Sequence, residues 1–251
     1  MYRERPARLA GAVLWTSTAP ADADPTRVLP DGCLDLLWSS RAGLLVAGPD
    51  RRAQLSAGGS GERWVGLRLP PGAGPAVFGL PADALRDRRV PLADLWGDRA
   101  VAELAERAAR APGEALESVA LARLRRVGGV DPLGVRVAAR LRAGATVAAT
   151  AAEEGLDPRV LHRRCRALFG YGPKTLARIL RMQRALALAR AGTPLAEVAV
   201  RSGYADQAHL TRDVRDLAGV PPTALLSPVR SAGGVVSPGQ SAGGAGSGSG
   251  A

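Results

Sequence analysis

The 251-residue sequence has little of what metal binding and side-chain catalysis draw on. It contains two cysteines, Cys33 and Cys165, too few and too far apart for a disulfide framework. Its two histidines, His162 and His209, both fall in the helical second half. No Ser/His/Asp or Cys/His set can be assembled around them, and a metal site would lack neighbouring ligands, so neither an enzyme nor a metal centre is expected. The stretches "GSGERW" and "PPGAGPAVFG" lack the strand-to-helix G-x-G-x-x-G order, and no nucleotide or other cofactor is expected. No run of 18 apolar residues offers a membrane span. The N-terminus lacks the long apolar region and small-residue cleavage site of a secretory signal, so a cytoplasmic location without a membrane partner is expected. Lysine is almost missing too: Lys174 alone accompanies 33 arginines among the 34 basic residues. Such a bias makes the net charge of +11 less informative than its distribution.

That distribution is uneven. Residues 132–230 hold 16 Arg/Lys against 7 Asp/Glu, a net of +9, whereas residues 1–131 hold 18 against 16, a net of +2. A basic second half points to a polyanionic partner. The halves also differ in pattern. Up to residue 80, "RLAGAVLWTST", "CLDLLWSS", "GLLVAG" and "RWVGLRLPP" are short apolar runs broken by Gly, Pro and Asp, which predicts strands. Alternation in "WVGLRL" puts Trp64, Gly66 and Arg68 on one side and Val65, Leu67 and Leu69 on the other, which suits a strand with one buried face. From Pro81 the spacing becomes helical: "PADALRDRR", "PLADLWGDRAVAELAERAARA" and, after Pro112-Gly113, "EALESVALARLRRV". "GGVDP" at 128–132 reads as a hinge, and helical pattern continues from Leu133 to Leu226. The expected fold class is α+β: a β-rich domain with helices over 1–130, cupin-like by analogy alone, then an all-α domain over 131–228. Residues 229–251 are Gly/Ser-rich and are expected to form a disordered tail.

The helical half repeats itself. "TVAATAAEEG" (146–155) aligns with "TPLAEVAVRSG" (193–203) on the final glycines, and "LHRRCRALFGYGP" (161–173) aligns with "LTRDVRDLAGVPP" (210–222). Leu161 meets Leu210, Arg163 meets Arg212, Cys165 meets Val214 and Gly170 meets Gly219, with one residue inserted after the second turn. Gly155 and Gly203 stand where a first helix stops, Asp157-Pro158 offers an N-cap with proline at the first helical position, and Asp206 offers a second N-cap. Two helix-turn-helix units joined by "PKTLARILRMQRALALARAG" are therefore predicted, with double-stranded DNA as the partner. In such a unit the early exposed residues of the second helix meet base edges. Here those are Arg159, His162 and Arg163, then Gln207, Ala208, His209 and Arg212. Arginine suits guanine O6/N7 and glutamine suits adenine N6/N7, each good bidentate pair giving about 1–3 kcal/mol of discrimination. Arg166, Arg178, Arg181 and Arg215 are candidate phosphate contacts, with plain surface as the competing assignment.

These residues resemble the AraC/XylS family of bacterial transcription regulators over about 133–226. The most specific stretch is "GYADQAHLTRDVRDLAGVPPTAL", and "LHRRCRALFGYGPKTLARILRMQRALALA" resembles the end of a first repeat and its linker helix. The sequence departs from the family at Cys165 and Val214, where Phe is usual. The resemblance implies tandem units reading successive major grooves on one DNA face. It also implies an N-terminal domain for an effector or for homodimerisation, and RNA polymerase as a candidate partner of an activator. "LPDGCLDLLW" and "LLVAGPD" look like a module of unassigned function that precedes such DNA-binding segments.

Within 1–130, Asp31, Cys33 and Asp35 alternate and share one strand face, a candidate ligand site for a cation or for a thiol beside a ligand. The competing assignment packs Cys33 inside and uses the aspartates in turns. Trp15, Trp38, Trp64 and Trp96 are expected in the core. The rival function is a DNA alkylation-repair methyl acceptor using Cys33, which needs a nucleophilic thiolate.

Overall fold

The structure, a computed structural model, describes residues 2–19, 25–56 and 59–226; the predicted tail at 229–251 lies outside the described residues. Among the described residues of the first part are eight strands: β1 (Tyr2–Pro6), β2 (Val13–Thr18), β3 (Thr26–Val28), β4 (Leu34–Ser39), β5 (Gly43–Ala47), β6 (Gln54–Ser56), β7 (Arg63–Leu69) and β8 (Arg89–Pro91). Six form an antiparallel sheet in the order β1-β2-β7-β4-β5-β8, and β3 pairs with β6 in a separate two-stranded ribbon. Side chains in a strand alternate between faces, and the apolar ones are sorted accordingly. Leu14, Leu36, Trp38, Leu44, Val46, Val65, Leu67 and Leu69 enter one core. Trp15, Asp35, Leu37, Leu45, Trp64 and Arg68 take the opposite face. The alternation expected in β7 is present residue for residue.

Helices close the apolar face. α1 (Gly74–Phe78), α3 (Asp98–Arg110) and α4 (Pro112–Arg126) contribute Val77, Phe78, Leu104, Ala108, Leu116, Ala120 and Leu124 to the same core, and α2 (Ala93–Trp96) packs Leu95 and Trp96 against it. Each fully buried leucine contributes about 1.5–3 kcal/mol. Glu117 of α4 accepts from Arg5 and from the Arg8 N–H, tying the edge strand β1 to this layer. Two expectations are corrected. "PADALRDRR" is not a helix: it makes one 3₁₀ turn (Ala82–Ala84), reverses at Asp87 with φ 57°, and pairs with β5 as β8. A three-residue strand is too short to show a period in sequence. The helix from Pro91 is interrupted at Gly97 (φ 80°, ψ 152°), which separates α2 from α3.

Seven helices make the second part: α5 (Pro132–Ala143), α6 (Val147–Glu153), α7 (Pro158–Phe169), α8 (Pro173–Arg190), α9 (Leu195–Arg201), α10 (Gln207–Ala218) and α11 (Pro222–Leu226). Their start signals are local. Asp131, Thr146, Asp157 and Asp206 accept backbone N–H bonds at the N-termini of α5, α6, α7 and α10. A second core gathers Leu141, Leu161, Cys165, Phe169, Leu176, Ile179, Leu180, Leu210, Val214 and Leu217 around the central α8. Cys165 and Val214, where the resembled family has Phe, are fully packed there.

A charged clasp holds α8 to α10. Asp213 is buried and accepts from Arg178 Nε (2.8 Å) and Arg181 Nη2 (2.9 Å). Asp216 accepts from Arg178 (2.8 Å), and Arg181 lies 4.2 Å over the Tyr204 ring. Burial alone would raise the Asp213 pKa, but the two guanidinium groups outweigh it and hold the carboxyl below its ordinary value. A depressed folded-state pKa adds stability that is complete above the unfolded value of about 3.9 and is lost as pH falls through the folded one. Asp213→Asn is therefore expected to cost on the order of 2 kcal/mol at pH 7. It should also flatten the acid limb of stability against pH; thermal melts from pH 7 to pH 2 check both.

Candidate nucleic-acid interface

Each helix-turn-helix unit is built from short-range chemistry. α6 and α9 stop before Gly155 (φ 63°) and Gly203 (φ 77°), the left-handed positions the repeat required. α7 and α10 then start on Asp157, whose side chain accepts from the Arg159 N–H (2.8 Å), and on Asp206, which accepts from the His209 N–H (2.6 Å). Both second helices are 12 residues long. Leu161, Cys165 and Leu168 bury one face of α7, while Leu210, Val214 and Leu217 bury the equivalent face of α10. The aligned positions thus occupy equivalent places, with Arg163 and Arg212 both exposed.

The sequence-predicted readers divide into two groups. Arg159, Arg163, Gln207 and Arg212 are exposed, and among the described residues their side chains make no hydrogen bond or ion pair; Ala208 is exposed beside them. The two histidines are more constrained. His162 lies over Gly172, where a Cβ would come 2.5 Å from its ring. His209 is partly buried, packs edge-on against Tyr204 (5.2 Å, 90°), and its Nδ1 accepts from the Ala205 N–H at 3.4 Å. The candidate phosphate contacts divide as well. Arg215 is exposed and its side chain is unpaired among the described residues, and Arg166 pairs with Asp83 at 3.0 Å. Arg178 and Arg181 are engaged in the Asp213 clasp. Arg184 is engaged too, donating to the carbonyls of Arg142 and Ser202, both at 2.7 Å.

Sequence reasoning did not anticipate how the first part of the chain grips the other ends of these helices. The last carbonyls of a helix lack internal partners and form the negative end of its dipole. At α7, Arg86 Nη1 donates to the Gly170 carbonyl (3.1 Å), and a Cβ at Gly170 would run into the Pro49 ring. At α10, Arg27 Nη1 donates to the Ala218 carbonyl (2.9 Å), and the Ala53 N–H donates to the Leu217 carbonyl (2.7 Å). Arg52 adds an ion pair to Asp216 at 2.8 Å. Both helices are capped at their C-termini by arginines from the β-rich part, leaving their N-terminal ends open.

Asp31, Cys33 and Asp35 are brought together in that part, along a cavity of about 340 Å³ between the polar face of the sheet and the β3–β6 ribbon. Arg68 lies opposite Asp35 across the β4–β7 ladder and is paired with Asp31 Oδ2 (3.2 Å) and Asp35 Oδ1 (3.7 Å). Trp15 Nε1 donates to Asp35 Oδ1 (2.9 Å), and its indole occupies the space left by Gly66. Asp31 Oδ1 accepts from the Cys33 N–H (2.9 Å), the turn role considered from sequence. Trp38 and Trp96 pack against the core as expected, whereas Trp15 and Trp64 line the cavity. Desolvation, followed by the nearby Asp31 charge, pushes the Cys33 thiol well above its ordinary pKa.

Residues 150–227 match a family described as a helix-turn-helix domain, and residues 11–91 match a domain of unknown function (DUF6597). Similar solved structures include a probable AraC family transcriptional regulator from Rhodopseudomonas palustris, 25% identical over 38% of this chain and 95% of its own, with a TM-score of 0.34. A DNA-binding transcriptional dual regulator from Escherichia coli K-12 is 27% identical over 38% of this chain and 96% of its own, with a TM-score of 0.33. ToxT from Vibrio cholerae is 10% identical over 85% of this chain and 96% of its own, with a TM-score of 0.47. No curated protein matches the chain. Among the described residues, no helix is long and apolar enough to cross a membrane.

A thiol with a raised pKa is a poor nucleophile, because the thiolate is the reactive form. Cys33 is therefore expected to alkylate with iodoacetamide at pH 8 at least tenfold more slowly than a free-cysteine peptide. Mass spectrometry of the tryptic peptide carrying Cys33 checks this.

Proposed function

We propose that this chain, which carries a helix-turn-helix domain of the AraC type at its C-terminus, is a DNA-binding transcription regulator reading two successive major grooves through α7 and α10. The carrying observation is the pair of exposed arginines at equivalent repeat positions, Arg163 and Arg212, unpaired among the described residues and on helices whose opposite faces are buried. Arg159 and Gln207 extend the two reading surfaces. His162, Ala208 and His209 complete the candidate set, with the histidines set by Gly172 and Tyr204. Arg215 and Arg166 serve as phosphate contacts, Arg166 once released from Asp83. Residues 1–130 act as the effector or dimerisation domain and 131–228 as the DNA-binding domain. The reading assigns no catalytic step. The methyl-acceptor alternative gains no support, since it asks for a thiolate where burial and carboxylates favour the thiol.

Selection of duplexes from a randomised pool at near-physiological salt tests the reading. The wild type is expected to enrich two boxes about one helical turn, roughly 10 bp, apart. Arg163→Ala should relax the sequence of one box and Arg212→Ala that of the other, each at a cost of about 1–3 kcal/mol. Arg215→Ala should weaken all duplexes alike and lower the slope of log K against log salt by about 1. Retention of both boxes by an Arg163→Ala/Arg212→Ala protein would overturn the assignment of the readers.

A further inference from the structure

The cavity in the β-rich part has a chemical character that defines its ligand. Its walls are aromatic and aliphatic, with Trp15 and Trp64 at one side and Leu37 and Leu45 on the floor. Its charged groups do not balance. Asp50 is matched by Arg89, with Nη1 to Oδ1 at 3.0 Å, and Asp87 by Arg51 at 2.7 Å. Among the described residues Asp31 and Asp35 share the guanidinium of Arg68 as their one ion-pair partner, with Arg89 acting on Asp35 only at longer range, so the two carboxylates beside the indoles are incompletely compensated. Removing a carboxylate from water without a full counter-charge is costly, and burial accordingly raises the Asp35 pKa. A cation entering the cavity would relieve that cost, and an indole face favours a cation as well.

The roof of the cavity is also the grip on α10. Thr26 and Val28 of β3 line the cavity, and Arg27 between them points the other way, to the Ala218 carbonyl. On the partner strand Gln54 lines the cavity, one residue after Ala53 bonds the Leu217 carbonyl. A ligand that shifts this ribbon must shift the contacts that hold α10.

We propose that the cavity binds a small organic monocation with an aromatic body, its ammonium beside Asp31 and Asp35 and its ring against Trp15 and Trp64, and that occupancy is conveyed to α10 through the β3–β6 ribbon. The second half rests on the regulator reading; the first does not. Calorimetric titration of the full chain without DNA, using benzylamine, 2-phenylethylamine and tryptamine, tests the first half. 2-Phenylethanol is the neutral control and phenylacetate the anionic one. At least one amine is expected to bind at least tenfold more tightly than either control, and Asp35→Asn, which retains an acceptor for Trp15, should abolish that preference. Asp31→Asn serves the same purpose should Asp35→Asn fail to fold. Equal or tighter binding of the alcohol or carboxylate, binding by none of the three amines, or an unchanged preference in the folded variant would overturn the site. The binding amine should then shift affinity for the selected duplex at least threefold in the wild type and not in Arg27→Ala. An absent shift would overturn the coupling alone, and an absence of any selected duplex would overturn the regulator reading while leaving the cavity result intact.

Discussion

Two arginines donating to helix-terminal carbonyls set the geometry on which the rest of the molecule depends. Arg86 binds the carbonyl of Gly170, the left-handed cap residue just past α7, and Arg27 binds that of Ala218, the last residue of α10. A cation at a helix C-terminus contributes about 0.3–1 kcal/mol through the dipole, and a charge-assisted hydrogen bond about 1.5–3 kcal/mol. Neither is large beside a leucine core. Their importance is directional. A 12-residue helix is a rod of about 18 Å, so holding one end determines where the other end points. The held ends carry no candidate base reader; Arg159 and Gln207 stand at the open ends, and Arg163 and Arg212 at the middle of their helices.

The same constraint explains why one thin ribbon matters. β3 and β6 have three residues each and belong to no large sheet, so little backbone pairing stabilises them. What they have instead is two sets of neighbours: a polar cavity on one side and the C-terminus of α10 on the other. The clasp continues that contact inward. Arg52 binds Asp216, Asp216 binds Arg178, Arg178 binds Asp213, and Asp213 binds Arg181 over Tyr204. A displacement at the ribbon therefore meets a continuous series of ion pairs reaching the turn between α9 and α10.

The second half of the chain was legible in sequence because its determinants are local. Asp157, Asp206, Gly155 and Gly203 act within a few residues of where they stand, and the period of Leu161, Cys165 and Leu168 is set by the helix itself. The alternation in β7 was readable for the same reason. Non-local pairings were not. Nothing near Arg178 in sequence announces Asp213, 35 residues away, so the ion pairs of this arginine could not be read there. Trp15 could not be told from a core tryptophan until the β2–β7 register set it opposite Gly66, on the face that the β7 alternation gives Trp64. β8 was hidden inside a helix-like stretch because three residues carry no period, and Arg27 and Arg86 offered no signal because their partners are backbone carbonyls.

The central claim is that the β-rich part holds α7 and α10, the two proposed reading helices, by their far ends. The most direct measurement is the duplex affinity of Arg27→Ala/Arg86→Ala against wild type over a range of salt concentrations. The account predicts an affinity changed severalfold with an unchanged salt slope, since neither arginine touches phosphate. Identical affinity would contradict the claim, and a slope reduced by about 2 would show instead that the two arginines are themselves DNA contacts.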